Sequence, residues 1–177
     1  MIQRKQTLFL LVAACAMAMT LMFPIASFTG KAPLGVPVSG ELNLIAKDNP
    51  NLMNEILEGQ PVTMSQKGFI KVWPLTVLSI LTAAIALVTV FLYKNRVLQM
   101  RVLAVGFLLG VVEIFLIFFW AVDSYVEKVT VPMACEEIDL SYGIGTWSLI
   151  VAVVLMFLAQ RAIKKDEEKV RAADRLR

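Results

Sequence analysis

Histidine is absent from this 177-residue sequence, and cysteine occurs only twice. Without histidine, the usual catalytic triads and zinc sites are excluded. Cys15 lies within a long apolar run and Cys135 within a polar segment, so the two are placed too differently to form a disulfide. Glycine-rich phosphate loops and paired redox cysteines are also missing. We therefore expect a protein that is not an enzyme and that holds no cofactor or metal ion.

Charge is missing from four long stretches, which are 21 to 25 residues long and contain one charged residue in total, Glu113. The stretches are 6–30, 72–93, 102–122 and 140–160. Helical residues rise about 1.5 Å each, so about 20 of them cross the roughly 30 Å hydrocarbon core of a bilayer. Since 58 % of the residues are hydrophobic, we predict an all-α membrane protein with four transmembrane helices in an up-down bundle. The spans are expected at about 7–28, 73–93, 102–122 and 141–160 of a single domain, 1–177.

The segments between the spans predict the direction in which each span crosses. Residues 1–6 and the loop 94–101 carry basic residues and no acid, and the tail 161–177 carries seven basic residues against four acids. In the loops 31–71 and 123–139, acids equal or outnumber basic residues. Basic residues next to spans stay on the cytoplasmic side, so both termini and the loop 94–101 are predicted to be cytoplasmic. The net charge of +3 therefore reflects topology and lipid contacts, and it does not indicate nucleic acid as a partner.

The first span also has features of a targeting signal. The stretch MIQRKQTLFLLVAAC joins a short basic segment to an apolar stretch that ends in a lipoprotein-like cysteine, Cys15. A removed signal has an apolar core of about 7–15 residues, whereas this run continues to Phe23. We therefore expect an uncleaved first span, and cleavage would leave three spans.

The two outward loops are expected to form a small irregular or short-stranded outer cap. In 31–71, ELNLIA predicts a short strand and NPNLMNEILEG one or two helical turns. In 123–139, YVEKVTV alternates and predicts a strand that pairs with the first loop. Calcium could bind nearby acids, but without a glycine turn we prefer a solvated acidic edge formed by Glu136, Glu137 and Asp139.

Glu113 is the one acid within the predicted spans. It shares a helical face with Gly106 and Gly110, whose spacing lets two helix backbones approach closely in lipid. The second span has a face of small and hydroxyl residues: Ser79, Thr82, Ala86 and Thr89. Packing the two faces together would give Glu113 a hydroxyl partner, Thr82 or Ser79. A charge at mid-membrane costs about 2.5–3.5 kcal/mol and no span holds a basic residue, so we expect a neutral Glu113 that donates a hydrogen bond between helices.

Two functions stay open at this point. The preferred one is a structural or accessory component of a membrane complex, with the bilayer and other membrane proteins or a second copy as partners. Intramembrane acids also mark ion paths, so the alternative is a small proton- or cation-linked transporter or channel subunit that uses Glu113. Replacement of Glu113 by Gln separates the two, because it preserves a structural hydrogen bond and abolishes proton coupling.

Three segments carry a resemblance to a known family: MIQRKQT at the start, VTVFLYKNRVLQMR between the second and third spans, and LAQRAIKKDEEKVRAADRLR at the end. They resemble an uncharacterised family of four-span membrane proteins from one phylum of Gram-negative bacteria, catalogued as a domain of unknown function. The resemblance implies a multi-pass protein of the bacterial inner membrane, and it implies no activity, substrate or site. It also implies a possible cytoplasmic partner surface formed by Asn95, Arg96, Asp166, Arg171, Asp174 and Arg175.

Overall fold

The computed structural model describes residues 5–31, 37–45, 62–64, 72–133 and 136–175. Its helices are α1 (Lys5–Met22), α2 (Trp73–Phe91), α3 (Arg96–Leu116), α4 (Val122–Met133) and α5 (Ile144–Arg175). Its strands are β1 (Ala26–Lys31), β2 (Pro37–Leu42), β3 (Val62–Met64) and β4 (Glu136–Tyr142). The molecule is therefore mostly helical, with a small sheet.

Four of the helices form a bundle in the cyclic order α1, α2, α3, α5. Helix α1 packs against α5 and α2, and α3 packs against α2 and α5. A 3₁₀ turn, Leu92–Lys94, joins α2 to α3. The Asn95 side chain then caps α3 by accepting a hydrogen bond of 3.2 Å from the Leu98 N–H. Consecutive helices therefore run in opposite directions, as an up-down bundle requires.

Three of these helices are long and apolar enough to cross a membrane. The qualifying segments are Trp73–Phe91, Arg96–Lys128 and Ile144–Lys169. Helix α1 is apolar over Thr7–Met22 but shorter. Helix α5 continues without a break to Arg175, well beyond residue 160, where the predicted span ends.

The third helix does not end where the charge-free run ends. A π-helical segment, Ile117–Ala121, follows α3, and the Val122 N–H then donates to the Ile117 carbonyl, five residues back. Helix α4 continues from there to Met133. The prediction of a strand at YVEKVTV is therefore wrong. Val122, Tyr125 and Val126 pack towards the core, and this spacing of three and four residues belongs to a helix, not to a strand.

The cap is a four-stranded sheet with the strand order β3-β2-β1-β4. Strand β1 pairs antiparallel with β2 and with β4, and β2 pairs parallel with β3. The strand of the second loop is thus Glu136–Tyr142, and its partner β1 comes before the first loop except for Lys31. Helix α5 begins at Ile144, not at 141. Of the described residues of ELNLIA, 41–45, only Glu41 and Leu42 belong to a strand. NPNLMNEILEG lies outside the described residues.

The first predicted span is too long at its C-terminal end. Helix α1 ends at Met22, and Ala26–Lys31 form the strand β1 in place of the end of a span. Pro24 explains the break, because proline lacks the N–H that a helix needs and disfavours a helical conformation of the preceding residue. The uncharged run therefore includes one helix and most of one strand.

Hydrogen bonds hold the cap to one end of the bundle. The Gly143 and Gly145 N–H groups donate to the carbonyls of Ile25 and Pro24 at 2.7 and 2.9 Å. The Thr146 hydroxyl donates to Ile25 at 2.8 Å, and the Thr76 hydroxyl donates to the Leu44 carbonyl at 2.5 Å. These bonds involve the end of α1 and the starts of α2 and α5. The start of α1, the α2–α3 turn and the end of α5 therefore lie at the opposite end.

Candidate functional site

The interior of the bundle contains buried polar residues on α2 and α3. On α2, one hydroxyl-bearing face is fully buried, and on α3 the buried face includes Glu113. The buried polar residues of the two helices are Ser79, Thr82, Thr89, Gln99 and Glu113. They follow the spacing of one helical face each. The two faces that the sequence predicts to pack together are thus both in the interior.

Gly106 and Gly110 lie where α3 meets its two neighbours. A Cβ atom at Gly106 would stand 2.7 Å from Ile85 Cγ2 on α2, and one at Gly110 would stand 2.7 Å from Val153 Cγ2 on α5. Atoms on β-branched side chains give way poorly, because their rotamers are restricted. The two glycines therefore allow a closeness of α3 to α2 and α5 that a larger residue would prevent.

Glu113 lies one turn beyond Gly110 on the same face, and its side chain is 0 % exposed. Neither carboxyl oxygen has a hydrogen-bond partner, and the buried Ser79 hydroxyl also has none. Ser79 lies near enough to interact electrostatically with the carboxyl, although the pair is not in hydrogen-bond geometry. Three buried oxygen atoms on two neighbouring helices thus lack the bonds that buried polar atoms normally make.

Thr82, the other predicted partner, uses its hydroxyl differently. It donates to the Leu78 carbonyl of its own helix at 2.9 Å. Its methyl carbon is 3.8 Å from the position of a Cβ on Gly110. Thr82 therefore contributes close packing beside the site, and Ser79 is the hydroxyl that interacts with Glu113.

Two further polar contacts inside the bundle have no counterpart among the sequence predictions. Thr20 on α1 and Ser148 on α5 have their hydroxyl oxygens 3.0 Å apart. The Gln99 side chain donates to the Thr89 carbonyl at 3.0 Å and so ties the start of α3 to the end of α2. The signal for all four was their polarity within or beside apolar runs, but their pairing depends on which helices are neighbours.

Comparison with known proteins gives one assignment. The model of a family described as a domain of unknown function, DUF4293, matches residues 2–176. The chain belongs to this family. The match confirms the resemblance to an uncharacterised domain family, and its length shows that both the bundle and the cap are part of the family's domain. No curated protein matches the chain.

The remaining predicted site residues of this family member lie away from Glu113. Asn95 is exposed at the α2–α3 turn, and Arg96 and Asp166 are half-buried. The side chains of three others lie outside the described part of the chain: Arg171, Asp174 and Arg175. Among described residues, the end of the bundle opposite the cap thus holds Asn95, Arg96 and Asp166, while Glu113 and Ser79 lie inside.

The acidic segment gives no described metal site. Asp139 on β4 is exposed, and the side chains of Glu136 and Glu137 lie outside the described part. Within the described residues, no group of three potential metal-binding side chains comes together. A groove of about 420 Å³ opens at the β1–β4 edge of the cap, and Lys31 and Asp139 are among its lining residues.

Proposed function

We propose that this chain is a four-span integral protein of a bacterial inner membrane and a structural or accessory component of a membrane complex. The observation that carries the proposal is the large apolar outside of the bundle combined with buried polar residues inside it. Its interior buries Ser79, Thr89 and Glu113, whereas Phe91 and Phe119 are 75 % and 74 % exposed on its outside. A soluble protein buries large apolar side chains and exposes charged ones, so this distribution suits a surface that is solvated by lipid.

The dimensions of α1 support its role as the fourth span. Its 18 residues give a length of about 27 Å at about 1.5 Å per residue, close to the roughly 30 Å of hydrocarbon in a bilayer. Helix α1 also forms one wall of the bundle, between α5 and α2. A helix in that position crosses the same layer as its two neighbours.

The distribution of charge supports an orientation with the cap outside. Arg96 and Arg101 lie at or near the α2–α3 turn, and Arg161, Lys164 and Lys165 lie in the last part of α5. All five belong to the end of the bundle opposite the cap, and this end holds the basic excess of the loops. Basic residues beside spans remain in the cytoplasm, so both termini are assigned to the cytoplasm.

The long helix α5 supports an accessory role. It continues about 15 residues beyond Gln160, which corresponds to about 22 Å of helix at about 1.5 Å per residue. This part carries basic and acidic residues in a repeating pattern, KKDEEKVRAADR. A charged helix that projects into the cytoplasm offers a polar surface to another protein.

Reporter fusions test the membrane arrangement. An enzyme that is active only in the periplasm is fused after Leu98, after Arg177 and within the loop 46–61. We expect activity from the third fusion alone. Activity from the Leu98 fusion would overturn the orientation, and recovery of the chain in the soluble fraction would overturn membrane insertion itself.

Copurification tests the accessory role. The full chain, tagged at its C-terminus, is extracted in a mild detergent and compared with a variant that ends at Gln160. We expect the full chain to retain a defined membrane protein that the shortened chain loses. Identical sets of copurified proteins would contradict a role for the projecting part of α5.

A further inference from the structure

The buried oxygens of Glu113 and Ser79 have no hydrogen-bond partners, and the two side chains carry too few hydrogens to satisfy them. An ionised carboxyl group only accepts hydrogen bonds, and a serine hydroxyl carries a single hydrogen. Glu113 Oε1, Glu113 Oε2 and Ser79 Oγ are all buried and unpartnered, so three acceptor oxygens share one hydrogen. Such a group is unsatisfied until a positive species joins it.

Among the residues that the structure describes, no positive side chain is placed to do this. Residues 7–22, 73–91 and 144–160, which line the bundle beside α3, contain no charged residue. Along α3 and its continuation into α4, the charged residues closest in sequence to Glu113 are Asp123 and Arg101, ten and twelve residues away. Both are exposed. The hydroxyl of Tyr125 is engaged with the Glu41 carbonyl. Within the described part of the chain, Glu113 thus has no positive side chain to compensate it, and a cation of the medium can take that place.

The position of the group favours exchange with the side of the membrane that the cap faces. Ser79 lies six residues after the start of α2 at Trp73, and Glu113 lies eight residues before Ala121. These separations correspond to about 9 and 12 Å of helix, so the group lies in the half of the bundle next to the cap. The regular α-helix also ends here, because the Ile117 N–H is shared between the Glu113 and Ile114 carbonyls before the π-helical segment begins. Such π segments are frequent at functional sites.

We propose that Glu113 and Ser79 form a binding site for one small monovalent cation, a proton or an alkali ion, which exchanges with the medium. A proton makes the carboxyl group a hydrogen-bond donor, and an alkali ion is coordinated by the same oxygens. The site rests on the membrane arrangement proposed above. It differs from a purely structural hydrogen bond in that its occupant comes and goes with the composition of the medium.

Labelling with a hydrophobic carbodiimide tests the site. The reagent enters apolar regions and adds to protonated carboxyl groups, so the mass of the labelled peptide reports how much Glu113 is protonated. The full chain in lipid vesicles is labelled at several values between about pH 5 and pH 9. We expect label on Glu113 that falls about tenfold per pH unit above the midpoint of its titration. Glu113→Gln removes this label, and Asp123→Asn, which removes an exposed acid, leaves it unchanged.

The occupant is identified by a second arm. At a fixed pH, sodium chloride is compared with choline chloride at the same ionic strength. Slower labelling in sodium alone assigns an alkali ion that competes with the proton, and equal rates assign the proton. No label on Glu113 at any pH, or label that does not change with pH, would overturn an exchanging site.

Matched hydroxyl variants test the role of Ser79 as a positioning residue. Ser79→Ala and Thr89→Val each remove one buried hydroxyl from the same face of α2. We expect Ser79→Ala to move the midpoint of the labelling profile or to abolish protection by sodium, and Thr89→Val to do neither. Equal profiles for all three proteins would exclude Ser79 from the site. Recovery of the wild-type chain with the vesicles reports whether the chain is inserted. Failure of the membrane proposal is therefore seen separately from failure of the site.

Discussion

The contacts that stabilise the bundle differ in kind from those that stabilise the cap. Inside the bundle, α3 meets its neighbours through Gly106 and Gly110, and the buried hydroxyls lie beside them. On the inner side of the cap, two large buried aromatic side chains meet: Phe28 of β1 and Tyr125 of α4 pack edge to face, with ring centroids 5.7 Å apart. Lipid gives apolar surfaces no reason to leave it, so helices in a membrane associate through close packing and hydrogen bonds. Water does give such a reason, and the cap uses large apolar groups accordingly.

The largest difference is expected when the aromatic contact of the cap is removed. Phe28 is almost fully buried on the inner side of β1, and deletion of a buried aromatic side chain costs about 3–5 kcal/mol. We expect Phe28→Ala to open the sheet while the bundle stays folded. Hydrogen exchange of the strand amides in detergent measures this. The control, Thr29→Ala, changes an exposed residue of the same strand, and faster exchange throughout α3 in Phe28→Ala would show that the two regions do not unfold separately.

The corresponding change in the bundle adds volume where the helices are closest. In Gly110→Val, the new Cβ would stand 2.7 Å from Val153 Cγ2 and 3.6 Å from Met156 Cε. Overpacking of this kind costs about 1–3 kcal/mol. We expect unfolding at lower denaturing-detergent concentration, with helix content as the readout. Leu108→Val, on the exposed side of the same helix, is the control, and equal stability of the two variants would contradict the packing of α3 against α5.

A smaller effect is expected from the polar contact that ties α4 to the cap. The Tyr125 hydroxyl donates to the Glu41 carbonyl at 3.3 Å. A typical hydrogen bond contributes about 0.5–1.5 kcal/mol, and its length places this bond at the weak end of the usual range. Tyr125→Phe should therefore accelerate exchange in β2 slightly and leave the bundle unchanged. Tyr142→Phe, at a more exposed ring, is the control, and a change as large as that of Phe28→Ala would show that the hydroxyl has a further role.

The sequence predicts the bundle better than the cap, because a helix in lipid needs a long apolar run and a strand in a small sheet does not. Transfer of a helix into lipid requires about 20 apolar residues in succession, and α2 and α5 show this directly. A strand in a small sheet requires only a few uncharged residues, so β1 follows the first apolar run without a charged residue to separate them. Pro24 marks the boundary, but a proline within a transmembrane helix is also tolerated. Length and hydropathy alone therefore misplace the end of the first span.

Within the candidate site, the sequence predicts faces but not partners. Spacings of three and four residues place Gly106, Gly110 and Glu113 on one side of α3, and the structure has them buried there. The choice between Ser79 and Thr82 depends on the rotation and axial position of α2, which no single-chain pattern contains. The pair formed by Thr20 and Ser148 is separated by 128 residues and becomes visible only when α1 and α5 are known to be neighbours.

The smallest expected effect concerns this pair, and it measures how little one hydrogen bond contributes in the bundle. Thr20 also lies 3.1 Å from the Ala16 carbonyl, and Ser148 lies 2.8 Å from the Gly145 carbonyl. Two hydroxyl hydrogens are therefore shared among three contacts, so the bond between the helices is only partly formed. Interhelical hydrogen bonds in membranes average about 0.6 kcal/mol, and we expect a coupling at or below this value from a cycle of Thr20→Val, Ser148→Ala and the double variant.

Unfolding in denaturing detergent supplies the four free energies of this cycle. A coupling well above about 1 kcal/mol would show that hydroxyl contacts, and not close packing, dominate the association of α1 with α5. That result would reverse the comparison, because the bundle would then depend on directional polar bonds more than the cap does. A coupling near zero would instead place the stability of this helix pair in the packing of its buried apolar residues, such as Ala13 and Met17 on α1 and Ala152 on α5. Close packing alone would then stabilise the contact between α1, the shortest helix of the bundle, and α5, the longest.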